Sequence, residues 1–166
     1  MAELVDRYDQ DHRFTVEDIC EIHRIWLGPV YAWAGKYRKV NLTKDGFTFA
    51  AAGQIPRLMA DFEKATLAKY TPCKSGNIET IIRALSVVHT ELVLIHPFRE
   101  GNGRVARMAA SLMSLQAGLP ALDFGSIRGR KRQEYFAAVQ SGVNRDYRPA
   151  EWIFTSVIRT TSRKRA

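Results

Sequence analysis

The sequence predicts an all-α domain of six to seven helices that carries one small β-hairpin. Three observations lead there. Apolar residues recur at three- and four-residue spacings in separate runs, the period of helices that each bury one face. Only one stretch, residues 40–49, combines short alternation with a turn-forming pair, Asp45-Gly46. The length of 166 residues, 46% of them hydrophobic, fits one domain with its own core over about 15–158, followed by a basic polar tail over 159–166.

Residues 1–12 are polar and acidic and read as an extended lead-in or a loose cover. Thr15 is a capping residue with Asp18 three positions on, opening a helix through Val16, Ile19, Cys20, His23, Trp26 and Leu27 that Gly28-Pro29 ends. An irregular segment anchored by Tyr31 and Trp33 leads through a basic run into the hairpin. With no sheet to join, the hairpin is either a surface connector or a strand offering its edge to a peptide. Helical period returns over residues 50–69, through Ala51, Ile55, Leu58, Met59, Phe62 and Leu67, with Pro56 tolerable only near the helix start. Residues 71–77 form a loop, and 78–95 is so apolar around its circumference that the helix must be central. Residues 103–117 repeat that character, up to a stop at Gly118-Leu119-Pro120. A helix over about 129–142 carries Tyr135, Phe136 and Val139 on one face, and a last one over about 149–160 points Trp152, Ile153 and Val157 inward.

Charge and cysteine content bound the function without naming it. The net charge of +8 permits attraction to nucleic acid or to an acidic partner, but part of it sits in the tail. Two cysteines with no metal-ligand spacing suit a reducing, cytoplasmic setting; neither an export signal nor a membrane span is expected.

Between the two most apolar helices lies His96-Pro97-Phe98-Arg99-Glu100-Gly101-Asn102-Gly103-Arg104-Val105-Ala106-Arg107. Glycines either side of Asn102 let the backbone approach a ligand, and the helix starting near Gly103 offers unpaired N–H groups, together an anion seat. Arg104 and Arg107, three apart, can clamp successive phosphates of a polyphosphate. Glu100 would repel that anion unless a divalent cation, Mg²⁺ by preference, is shared between them. His96 is then placed to take a proton from an incoming hydroxyl. A zinc site at His89, His96 and Glu100 lacks the ligand spacing that zinc asks for.

The same residues match the signature of the Fic family at each defining position, and Val30 to Arg38 resembles the segment that precedes that family's target-binding hairpin. The resemblance implies a helical adenylyltransferase that moves AMP from ATP to a Tyr, Thr or Ser hydroxyl of a target protein and releases pyrophosphate. It implies His96 as base, Glu100 as the Mg²⁺ ligand, Gly101, Asn102 and Gly103 as the anion hole, Arg104 on the β-phosphate and Arg107 on the γ-phosphate. It makes Val40 to Phe49 a flap that pairs with the target's main chain, with Val40, Asn41, Leu42 and Phe47 as contacts and Phe47 as a clamp. It puts part of the adenine pocket near Tyr135 to Val139 and at Asn144. The family's inhibitory Ser/Thr-x-x-x-Glu-Gly/Asn motif is missing from these residues. That departure implies a bacterial toxin restrained by a separate small antitoxin whose glutamate meets Arg107, or a segment outside these residues, as in an effector delivered into another cell. The alternatives are a Fic-type transferase using another nucleotide or phosphocholine, and a basic interaction module without turnover.

Overall fold

The computed structural model describes residues 2–74 and 76–164. Helix α1 (Ala2–Arg7) leads to α2 (Val16–Leu27), whose first turn is closed by a capping box: the Thr15 hydroxyl accepts from the Asp18 N–H while the Asp18 carboxylate accepts from the Thr15 N–H at 2.8 Å. An irregular stretch carries the chain to the hairpin, β1 (Thr43–Lys44) and β2 (Phe47–Thr48), paired antiparallel with Thr43 opposite Thr48. Its turn residues Asp45 (φ 51°) and Gly46 (φ 79°) both take the left-handed conformation that a tight two-residue hairpin needs.

Helix α3 (Ile55–Phe62), with proline in its first turn, a π-helical turn (Glu63–Leu67) and α4 (Ala68–Tyr70) follow one another as a single rod. Helix α5 (Ile78–Ile95) is the centre: eleven of its residues are buried, and α3, α6 (Asn102–Gln116), α7 (Arg130–Ser141) and α8 (Arg148–Arg163) pack around it. The helices are those that the apolar period predicts, and the hairpin, which is the only sheet among the described residues, forms at the Asp45-Gly46 turn pair as expected. Among the described residues no helix is long and apolar enough to cross a membrane.

Three expectations are corrected. Residues 2–12 are neither an extended lead-in nor a loose cover: α1 buries Leu4 and, one turn on, Tyr8 sinks into the core, a spacing too short to stand out as a period. The last helix does not stop near 160 and leave 159–166 as a polar tail: α8 runs to Arg163, and Thr161 is buried with its hydroxyl accepting from the Asp123 N–H at 3.0 Å; residues 165 and 166 lie outside the described part. Trp152 does not point inward and is 80% exposed, because the buried stripe of α8 runs through Ala150, Phe154, Val157 and Thr161.

Candidate active site

Helix α5 ends at His96, which takes the left-handed conformation (φ 53°) and turns the chain into the loop. Its Nδ1 lies 3.0 Å from the Val93 carbonyl, an acceptor only, so Nδ1 carries the proton and Nε2 keeps a lone pair. The Phe49 ring lies flat on the imidazole, centroids 3.6 Å apart and planes at 20°. Burial pushes the His96 pKa down to about 4; the Val93 carbonyl and the Glu100 charge oppose this, while the Arg38 and Lys44 cations add to it. At neutral pH the ring is a neutral acceptor, the state a general base requires.

The loop is held from inside. Phe98 is fully buried and stacks on His23 at 3.9 Å, and the Asn102 side chain accepts from the Phe98 N–H and donates to the Phe98 carbonyl, both at 2.8 Å. His23 accepts from the Gly35 N–H at its Nδ1 (2.7 Å), which leaves Nε2–H to donate to the Glu100 carbonyl (3.1 Å). Gly101 caps α6 at φ 82°, where a Cβ would stand 2.6 Å from the Trp26 ring and 3.0 Å from Leu27. Gly103 is different: a Cβ there would meet only the Arg107 guanidinium at an ordinary 3.5 Å, so the space that glycine leaves open faces away from the packed protein.

At the start of α6 the Arg104 and Val105 N–H groups turn back onto the Gly101 carbonyl, whereas those of Asn102 and Gly103 have no acceptor among the described residues. Arg104 is exposed with its guanidinium over Trp26 (5.0 Å), and Arg107 is half-buried over Phe124 (5.9 Å). Neither has an acidic partner among the described residues. Both line a groove of about 280 Å³ with Trp26, Met108 and Phe124. Glu100 is exposed, and no group of three or more His, Cys, Asp or Glu side chains gathers around it or elsewhere among the described residues.

The flap is thinner. Asn41 Oδ1 accepts from the Ala52 N–H (2.9 Å), and the Phe49 N–H donates to the Leu42 carbonyl (3.1 Å). Val40 and Asn41 are exposed, Leu42 and Phe47 half-buried. Phe49 rather than Phe47 covers His96; Phe47 meets Phe49 edge-on at 5.2 Å. The Lys44 ammonium sits over Phe136 of α7 at 5.3 Å.

His96, Glu100, Gly101, Asn102, Gly103, Arg104 and Arg107 thus share one loop and one helix start, with the flap laid across His96. Tyr135, expected near adenine, is only 5% exposed, and its hydroxyl lies 2.7 Å from the Nε2 of the equally buried His89. Asn144 is exposed on a short 3₁₀ turn (Gly142–Asn144). The sequence reading missed Arg38, which stood unremarked in the basic run before the hairpin and is only 2% exposed. It also missed His23, whose sole signal was its place in an apolar stripe.

Residues 13–114 match the Fic/DOC family, a span from the start of α2 through most of α6. The chain is 32% identical over 148 residues to protein adenylyltransferase fic-1 of Caenorhabditis briggsae, covering 84% of this chain and 26% of that protein. It is 32% identical over 136 residues to protein adenylyltransferase Fic of Nematostella vectensis, covering 81% of this chain and 30% of that protein. It therefore spans between a quarter and a third of these relatives' length. Among solved structures it resembles BepC, a VirB-translocated effector of Bartonella tribocorum crystallised with AMPPNP (TM-score 0.76, 22% identity, 93% of this chain and 79% of that one). It also resembles a Fic-domain signaling protein of Bacteroides thetaiotaomicron (TM-score 0.76, 20% identity, 96% and 66%).

Proposed function

The chain belongs to the Fic/DOC family, and from that premise we propose that it is a protein adenylyltransferase, moving AMP from ATP to a Tyr, Thr or Ser hydroxyl of a target protein. The observation that carries this reading is a neutral His96 with a free Nε2 lone pair beside a helix start whose first N–H groups have no acceptor and whose two arginines have no acidic partner among the described residues. The names of the relatives and the AMPPNP in the Bartonella structure support ATP as donor.

In the proposed step the target hydroxyl gives its proton to His96 Nε2 as its oxygen bonds to the α-phosphorus. The bond from that phosphorus to the oxygen bridging to the β-phosphorus breaks, and pyrophosphate leaves with the oxygen and its electron pair. The Asn102 and Gly103 N–H groups receive the α-phosphate oxygens, where negative charge is held through the transition state. Asn102 acts through its backbone, its side chain being engaged with Phe98. Arg104 takes the β-phosphate and Arg107 the γ-phosphate. A lone, exposed carboxylate at Glu100 suits Mg²⁺, which draws its other ligands from phosphate and water. Bound there, the ion would neutralise charge between the carboxylate and the phosphates.

We read the chain further as a toxin whose Arg107 is met by a glutamate of a separate antitoxin. The support is an Arg107 without an acidic partner, opening on the groove beside Trp26. Burial raises the thiols of Cys20 and Cys73 to about 11, so both stay protonated at neutral pH and take no part in the proposed step. The test is incubation with Mg²⁺, cell lysate and ATP labelled at the α-phosphate. Protein bands are expected to carry label with the wild-type chain and to lose it with His96→Ala, by about 10²–10⁴ in rate. Label from γ-labelled ATP instead, or equal labelling by both proteins, overturns the reading.

A further inference from the structure

Arg38 is among the largest buried side chains, and no carboxylate lies within ion-pair reach of it among the described residues. A buried cation without a counter-charge is costly unless its donors are all met. Here the acceptors are main-chain carbonyls: Nε donates to His96 (2.7 Å), Nη1 to Val40 (2.6 Å), and Nη2 to Ala50 (2.6 Å) and, more weakly, Ile95 (3.5 Å). The Arg38 backbone N–H donates to Pro97 (2.8 Å). These carbonyls fall into two sets. Ile95, His96 and Pro97 are consecutive at the negative end of α5, where helical carbonyls lack intrahelical partners. Val40 and Ala50 are the two feet of the flap.

We propose that Arg38 is a positioning residue that joins the flap to the general base: one guanidinium fixes both feet of the flap and the His96 backbone in a single arrangement. An extended peptide ordered on the flap and the imidazole serving it are then set together. A lysine keeps the charge but not the planar fork that reaches both sets. His96 also needs the grip for its own sake, since a non-glycine residue at φ 53° is disfavoured and here its carbonyl is held in place. Ala50 adjoins Phe49, so releasing that foot lifts the ring from the imidazole. The charged groups facing His96 are Arg38, Lys44 and Glu100.

The catalytic meaning of this joint rests on His96 as base, as proposed above, but the joint itself is read without nucleotide or target. In the full chain, NMR follows the titration of the His96 imidazole, and hydrogen exchange follows the Phe49 and Ala52 amides that close the flap. With Arg38→Met the His96 pKa is expected to rise from about 4 toward the ordinary histidine value, and both amides to exchange about tenfold faster. Arg38→Lys is expected to fall between, and carries both readings if Arg38→Met does not fold. Val157→Ala, a core truncation in α8, lowers stability without touching the joint and is expected to move neither reading. Wild-type titration and exchange in the Arg38 variants, a change in one without the other, or the same changes in Val157→Ala overturn the proposal. Loss of AMP transfer in other assays leaves these readings intact.

Discussion

The loop between α5 and α6 and the flap meet at His96, and they are built in opposite ways. The loop is clamped from the core by Phe98 under His23, by the Asn102 side chain across Phe98, and by Gly101 pressed against Trp26. The flap has two strands of two residues, exposed for most of its length, and hangs on Asn41, Arg38 and the Phe49 stack. The difference teaches where rigidity is needed. For the proposed reaction, donors aimed at phosphate stabilise developing charge only if they are already in place, whereas a strand edge proposed to pair with a target's main chain can order as it binds.

Two asparagines give the sharpest test of that contrast. Asn102→Ala leaves the buried Phe98 N–H and carbonyl without partners and is expected to cost about 3 kcal/mol. Asn41→Ala removes a single bond at an exposed flap foot and is expected to cost about 0.5–1 kcal/mol. Urea unfolding of both measures the gap, and equal losses break the comparison. Two glycines at nearly the same φ repeat it. Gly101→Ala adds a clash at 2.6 Å to the strain of φ 82°, while Gly46→Ala meets nothing within 4 Å at φ 79°. About 2–3 kcal/mol is expected for the first and about 1 kcal/mol for the second, read from thermal melting.

Much of this was legible in the sequence, and the failures share a cause. The helix runs, the Thr15–Asp18 cap, the Asp45-Gly46 turn and the twelve residues from His96 to Arg107 are local patterns, with partners a few positions away. Arg38 was not legible, because its neighbours Lys36 and Lys39 suggest a solvated face and its acceptors are carbonyls, which every residue has. Phe49 could not be told from Phe47, since residues two apart on a strand share a face and only the placement over α5 selects one. Tyr135 was expected near adenine, but its helical face turns with Ala138 and Val139 into the core, where His89 takes its hydroxyl.

Acid sharpens the contrast from the loop side. Burial lowers the pKa of His23, of His89 to about 4 and of His96 to about 4. The unfolded chain therefore takes up protons first. The stability these residues preserve is full above about pH 6.5 and is lost as pH falls from there toward 4. A loss on the order of 2 kcal/mol by about pH 5, read from urea midpoints, is expected from fully buried His89 alone. His23 adds to it, because a protonated Nδ1 can no longer accept from Gly35. The smallest effect belongs to the flap. Phe49→Ala is expected to change stability little while raising the His96 pKa, which moves the acid limb of the activity profile to higher pH. An unmoved limb means that the ring does not shield His96, or that His96 is not the proposed base.

The most direct measurement is mass spectrometry of proteins recovered from cells that express either the wild-type chain or His96→Ala. The expected result is one or more proteins carrying AMP on a Tyr, Thr or Ser hydroxyl with the wild type and none with the variant. Phosphate or phosphocholine in place of AMP, or the same modified residues with both chains, contradicts AMP transfer by this site.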